Sequence, residues 1–156
     1  MISRHSILRG AAAGAFVTVL AGCAQMGMGS GSGGMSSSSM ETYRATLSSA
    51  QEVPPISSSA SGSAEVAVNP STMAMTYRVT FAGLSGPATA GHIHGPAPAG
   101  QNAGVKVPFA SVAQSPVTGS GTLTAEQYAD LKAGRYYVNI HTAANPGGEI
   151  RGQLAR

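Results

Sequence analysis

From Glu41 onward apolar and polar residues alternate with a period of two. Met73, Met75, Tyr77, Val79 and Phe81 fall on one side of an extended chain, and Ala74, Thr76, Arg78 and Thr80 fall on the other. Successive strand side chains point to opposite faces, so this segment is a strand with one buried face. Tyr43, Ala45 and Leu47 repeat the pattern, as do Ala64, Val66 and Val68, with Asn69-Pro70 as the turn before the Met73 strand. Further strands are predicted over 91–94, 105–112, 117–123, 135–142 and 149–154, divided by Gly, Pro, Asn and Ser clusters. One helix interrupts them. Thr124 is followed three residues later by Gln127, a capping-box pair; Tyr128 and Leu131 share a face, and Gly134 suits the left-handed stop. One short helix cannot alternate with parallel strands. The fold class is therefore all-β, an antiparallel Greek-key-like sandwich or barrel with one short helix.

The first forty residues follow another pattern. Arg4 and Arg9 precede an apolar run from Ala11 to Ala21, followed by Gly22 and Cys23. That run is about half the length needed to cross a bilayer, and a basic start with a short apolar middle is a secretory signal. Leu20-Ala21-Gly22-Cys23 resembles the bacterial lipobox, which implies cleavage before Cys23 and a lipid on its thiol. Residues 3–8 resemble a twin-arginine export signal with His5 in the second arginine's place, so Sec and twin-arginine export both stay open. After Ala24-Gln25, residues 26–40 are Gly, Ser and Met without periodicity, a flexible tether. Met26, Met28, Met35 and Met40 are soft ligands suited to Cu(I), or methionines merely tolerated in a linker. The expected organisation is a lipoprotein signal peptide over 1–22, a tether over 23–40 and one domain over 41–156. Ala24 after the cysteine favours the outer membrane, with the domain facing the periplasm.

Composition narrows the function classes. Charged residues are 10% of the chain, Gly contributes 21 positions and Trp is absent, unlike a helical bundle or coiled coil. From Cys23 onward seven basic residues stand against six acidic ones, a net +1. No basic cluster with interleaved aromatics occurs, so nucleic acid is not an expected partner. Cys23 is the single cysteine, and lipidation would leave the domain no thiol for a disulfide. Gly-x-Ser-x-Gly and phosphate-loop patterns are missing, so no nucleophilic enzyme is expected.

The domain has three histidines. In Gly91-His92-Ile93-His94-Gly95, the two imidazoles share a face, with α-carbons roughly 6.5 to 7 Å apart, and Ile93 points to the core. In Tyr137-Val138-Asn139-Ile140-His141, His141 shares a face with Tyr137 and Asn139. If the two strands are neighbours, three imidazoles meet, and such a group can hold zinc or copper at about 2 Å. Glu149 is a candidate fourth ligand or an acceptor that fixes a histidine tautomer; it could also pair with Arg151. Asn139, Arg151 and Glu52 are candidate supporting residues. The same histidines could instead form a hydrogen-bonded network that only stabilises the fold. Glu52 and Glu149 form a carboxylate pair only if the fold joins them, and Glu126 with Asp130 belongs to a solvated helix face.

Several segments in order resemble the chordin-type (CHRD) domain family over about 43–154: Leu47–Pro55, Gly83-Leu84, Ala90–Pro96, Leu131–Thr142 and Asn145–Leu154. The resemblance implies a secreted or lipid-anchored bacterial module without an assigned activity. The growth-factor partner of animal chordin does not transfer. His92-Ile93-His94 is also similar to the copper-ligand strand of copper/zinc superoxide dismutases, but three histidines without a disulfide fall short of that enzyme's ligand set. The expected function is a non-catalytic, membrane-anchored envelope protein binding copper, or zinc, through His92, His94 and His141. A structural or protein-binding module and a dismutase-like enzyme are the alternatives.

Overall fold

A computed structural model describes residues 39–156. The expected signal peptide, the lipidated Cys23 and nearly all of the tether lie outside the described residues. Eight antiparallel strands form one sheet: β1 Glu41–Ser48, β2 Ser61–Val68, β3 Ala74–Ala82, β4 Ala88–His94, β5 Val105–Pro108, β6 Val117–Thr122, β7 Tyr137–Thr142 and β8 Ile150–Gln153. Their spatial order is β5-β4-β7-β8-β1-β2-β3-β6, and the sheet is nearly closed into a barrel. The helix α1 spans Ala125–Lys132. The expected all-β fold with one short helix is the observed one.

Period-two patterning decides what fills the barrel. Tyr43, Ala45 and Leu47 of β1 point inward, joined by Ala64, Val66 and Val68 of β2 and Met75, Tyr77 and Val79 of β3. Ile93, Val138, Ile140 and Ile150 complete this interior from the other side. Shifting any of these strands by one residue would exchange core and outer faces, so the pattern fixes the register. Tyr128 and Leu131 of α1 pack against the same core. The capping box forms as expected, Thr124 Oγ1 accepting from the Gln127 N–H and Gln127 Oε1 accepting from the Thr124 N–H. Gly134, at φ +68°, ends the helix with the double bond of a Schellman motif: its N–H donates to Leu131 O and that of Arg135 to Asp130 O.

One strand departs from the simple pattern. All six residues of β7 are buried, although one face of an antiparallel strand is usually left to solvent. The interior covers Val138 and Ile140. The outer face, with Tyr137, Asn139 and His141, lies under segments 95–104 and 143–148, and Asn102 Nδ2 ties the first of these to Val53 O. This roofed outer face carries the chemistry. Several expected boundaries are corrected, among them the strand read over 91–94, which begins at Ala88. The strand read over 105–112 stops at Pro108, which lacks an N–H, and Phe109 and Val112 then turn into the core. The strand read from Arg135 begins at Tyr137, because Arg135 completes the helix cap.

Candidate metal centre

The centre is built by strand pairing. β4 lies beside β7, with His92 opposite Asn139, His94 opposite Tyr137 and Ala90 opposite His141. Directly opposed residues share a face, so three imidazoles from two segments some fifty residues apart meet above the sheet. One ring nitrogen from each lies within 4.8 Å of the others. His92 Nδ1 and His141 Nε2 are 3.1 Å apart, and the His92 and His94 rings stand edge to face with centroids at 5.2 Å. Three nitrogens on one ion at about 2.1 Å would stand roughly 3.4 Å apart in tetrahedral geometry, so small ring movements suffice.

Backbone carbonyls set two of the tautomers. His94 Nδ1 lies 3.0 Å from Ala103 O, and His141 Nδ1 lies 3.0 Å from Pro146 O. A carbonyl only accepts, so both Nδ1 atoms carry the proton and both Nε2 atoms present a lone pair. This is the outer support usual for a metal-bound imidazole. His94 Nε2 is buried and has no partner among the described residues, so an acceptor is held where they offer it no donor. In the metal-free arrangement His92 Nδ1–H completes the set by donating to His141 Nε2. Burial pushes all three imidazoles below their ordinary range; His141 adds to this at His92, and the carbonyl contacts oppose it at His94 and His141. Neutral rings are the form that binds metal. His92 is the half-buried member and borders a cavity of about 340 Å³ lined also by Ala90, Phe109 and Val112.

The His94 ring stacks on Tyr137 at 4.9 Å with planes 3° apart. The Arg151 guanidinium stands 3.5 Å from the same Tyr137 ring, so imidazole and cation occupy its two faces. Arg151 is 1% exposed and donates to Asn102 Oδ1 and Gln101 O. Residues 101–103 thus tie the roof to Arg151, Tyr137 and His94. Alternation in the sequence places Tyr137 on the histidine face, but nothing there signals the part of Asn102 or Ala103.

A CHRD domain model matches residues 43–154. The chain belongs to the CHRD domain family. No curated protein and no solved structure gives a significant match. The CHRD domain is not an enzyme family. The match covers all eight strands except the first two residues of β1, and it contains every residue of the centre.

The remaining site candidates of this CHRD domain separate into two groups. Glu149, expected as the next ligand, stands apart from the histidines. Its carboxylate accepts from Ser58 Oγ, Thr142 Oγ1, Ser85 N–H and Ser85 Oγ, all at 2.6 to 2.8 Å. Burial raises its pKa, but these bonds win and hold it down to about 2. It is a fully engaged structural carboxylate that fastens the β7–β8 hairpin to two loops. The alternative Glu149–Arg151 pair does not form among the described residues, since Arg151 turns to the roof. Glu52, Asn139 and Arg151 do come together, but their hydrogen bonds do not reach a histidine. Backbone carbonyls take the orienting role expected of those side chains.

Proposed function

We propose that this CHRD-domain protein is a non-catalytic, lipid-anchored component of the bacterial cell envelope that binds a metal ion, copper before zinc. His92, His94 and His141 are the ligands. The lipobox-like Leu20–Cys23 segment supports anchoring through Cys23 in the outer membrane, with the domain facing the periplasm. The observation that carries the metal reading is the convergence of three neutral ring nitrogens within 4.8 Å, one of them buried without any partner. Donor chemistry favours copper or zinc over hard cations, because all three ligands are imidazoles without a carboxylate. Two Nδ1–H groups tied to carbonyls hold the rings before any ion arrives, and the tautomer shift falls to His92. The ion would gain fixed neutral ligands on three sides and an approach past His92.

The test titrates purified protein with Cu(II), Cu(I) and Zn(II), beside a triple variant in which all three histidines are changed to Ala. Binding of one equivalent by the parent and its loss in the triple variant is expected. Equal binding by both removes the reading. Anchoring is tested separately by Cys23→Ala, which should move the protein from the membrane to the soluble fraction.

One observation favours a second reading. The carbonyl bonds of His94 and His141 also pin segments 95–104 and 143–148, as a purely structural network would. That reading expects histidine substitutions to cost the same stability with and without metal.

A further inference from the structure

The group around Glu52 is unused by the metal centre. Glu52 follows the short 3-10 turn Ser49–Gln51 and is 5% exposed. Its Oε2 accepts from Asn139 Nδ2 at 3.4 Å, while its Oε1 is buried with no partner. Asn139 Oδ1 is buried and unpartnered as well. Both head groups lean over Gly148, where a Cβ would come 2.7 Å from Glu52 Oε2 and overlap both amide atoms of Asn139. Glycine lets the two lie together on the hairpin backbone. Arg151 faces them but spends its donors on Asn102 and Gln101, and it forms no ion pair with Glu52 among the described residues.

Two buried acceptors without a donor are a costly arrangement. One proton relieves both. With Oε1 protonated, the acid O–H donates to Asn139 Oδ1 while the Asn139 amide donates to Oε2, closing an acid–amide pair. Asn139 is directly opposite His92 and two residues before His141. A cation held by the imidazoles would therefore stand on the same face as Asn139, with the Asn139 amide between it and this carboxyl.

We propose that Glu52 is the proton-exchange partner of the three-histidine centre. It keeps its proton, paired with Asn139, while the imidazoles hold no cation, and it yields that proton to water when they take one up. The O–H bond breaks, its electron pair stays on the carboxylate, and the new negative charge offsets the arriving cation. The inference rests on the metal-binding reading. Arg151 on β8 is the charged group that acts on Glu52, and His92 and His94 on β4 and His141 on β7 share the sheet face of its partner Asn139; Glu149 stays ionised through its own hydrogen bonds. Three neutral imidazoles and Arg151 bring no negative charge, so Glu52 is the carboxyl left to supply it. In the metal-free protein burial pushes Glu52 up to about 7, with Arg151 and the Asn139 bond pulling the other way. A cavity of about 350 Å³, lined by Glu52, Val53, Gly100, Arg151 and Gln153, gives the proton a route to solvent.

The full chain and Glu52→Gln are titrated calorimetrically with Zn(II), and separately with Cu(II), at pH 6.5 in two buffers of different ionisation enthalpy. The glutamine amide keeps the pairing with Asn139 but has no proton to give. Both proteins are expected to bind, and the parent should release more protons than Glu52→Gln, the difference being roughly half a proton or larger. Equal release with intact binding overturns the exchange alone. Absence of binding in both overturns the metal reading, and the exchange with it. A second measurement needs no substitution: the Glu52 Cδ resonance in metal-free protein should titrate near 7 and move to lower pH with metal bound. A midpoint at the ordinary carboxylate value without metal also overturns the proposal.

Discussion

Glu149 and Glu52 are both buried, and burial raises the pKa of each; the number of donors then separates them. Four donors hold Glu149 at about 2, whereas one long bond leaves Glu52 near 7. Chain position explains the difference. Glu149 sits where the hairpin returns beside Ser58, Ser85 and Thr142, and Glu52 follows a turn whose neighbours offer it a single side-chain amide. Since Glu149 lies below its ordinary 4.5 when folded, its stabilising contribution is complete above pH 4.5 and drains away as pH falls toward 2. Glu149→Gln brings an NH2 group against donors and removes the charge they serve. It should lower stability at pH 7 by at least about 2 kcal/mol in urea denaturation. It should also flatten the loss of stability below pH 4.5. Metal affinity should stay at the parent value in the same titration, and a tenfold loss would return Glu149 to the ligand set.

At the scale of elements, α1 is the most local piece and the easiest to perturb alone. Its capping box satisfies two otherwise unpaired backbone N–H groups, so Thr124→Ala should cost about 1 kcal/mol. Denaturant midpoints would show it, and a change well above 3 kcal/mol would mean that Thr124 supports more than the helix. The same locality explains what the sequence makes legible. Alternation of Met73 to Phe81, the Thr124 to Gln127 spacing and Gly134 each record a backbone requirement within a few residues, and the elements form there except that Met73, at φ +60°, belongs to the turn before β3. His92, His94 and His141 are legible too, because alternation names the face and one assumption, that β4 and β7 are neighbours, joins them. The role of Glu149 is not legible, because its partners Ser58, Ser85 and Thr142 come from three separate segments. Asn102 and Ala103 are hidden in a loop without periodicity. What alternation cannot show is the roof over an outer face, since a roof is made by loops.

The whole molecule turns on that roof. Inside the barrel the core holds the strands together, and outside it segments 95–104 and 143–148 meet the sheet largely through polar groups: Tyr137, Arg151 and the carbonyl-bound histidines. Such a layer opens at lower cost than the core, because few apolar contacts hold it. An ion bridging β4 and β7 beneath the roof would stabilise the folded state through binding alone, by about 2.7 kcal/mol at a hundredfold excess over Kd. The melting temperature should therefore rise with added metal, and amide exchange over 95–104 should slow. His92 and His94 should then part company. Among the described residues the half-buried His92 side chain is bonded only to His141, so His92→Ala should leave the metal-free melting temperature near the parent value while abolishing the metal-dependent rise. His94→Ala removes a ring stacked on Tyr137 and a bond to Ala103 O, so it should lower the metal-free value as well. Thermal unfolding of the three proteins with chelator and with metal separates ligand from scaffold. If His92→Ala lost as much stability in chelator as in metal, the imidazoles would be holding the roof and nothing else.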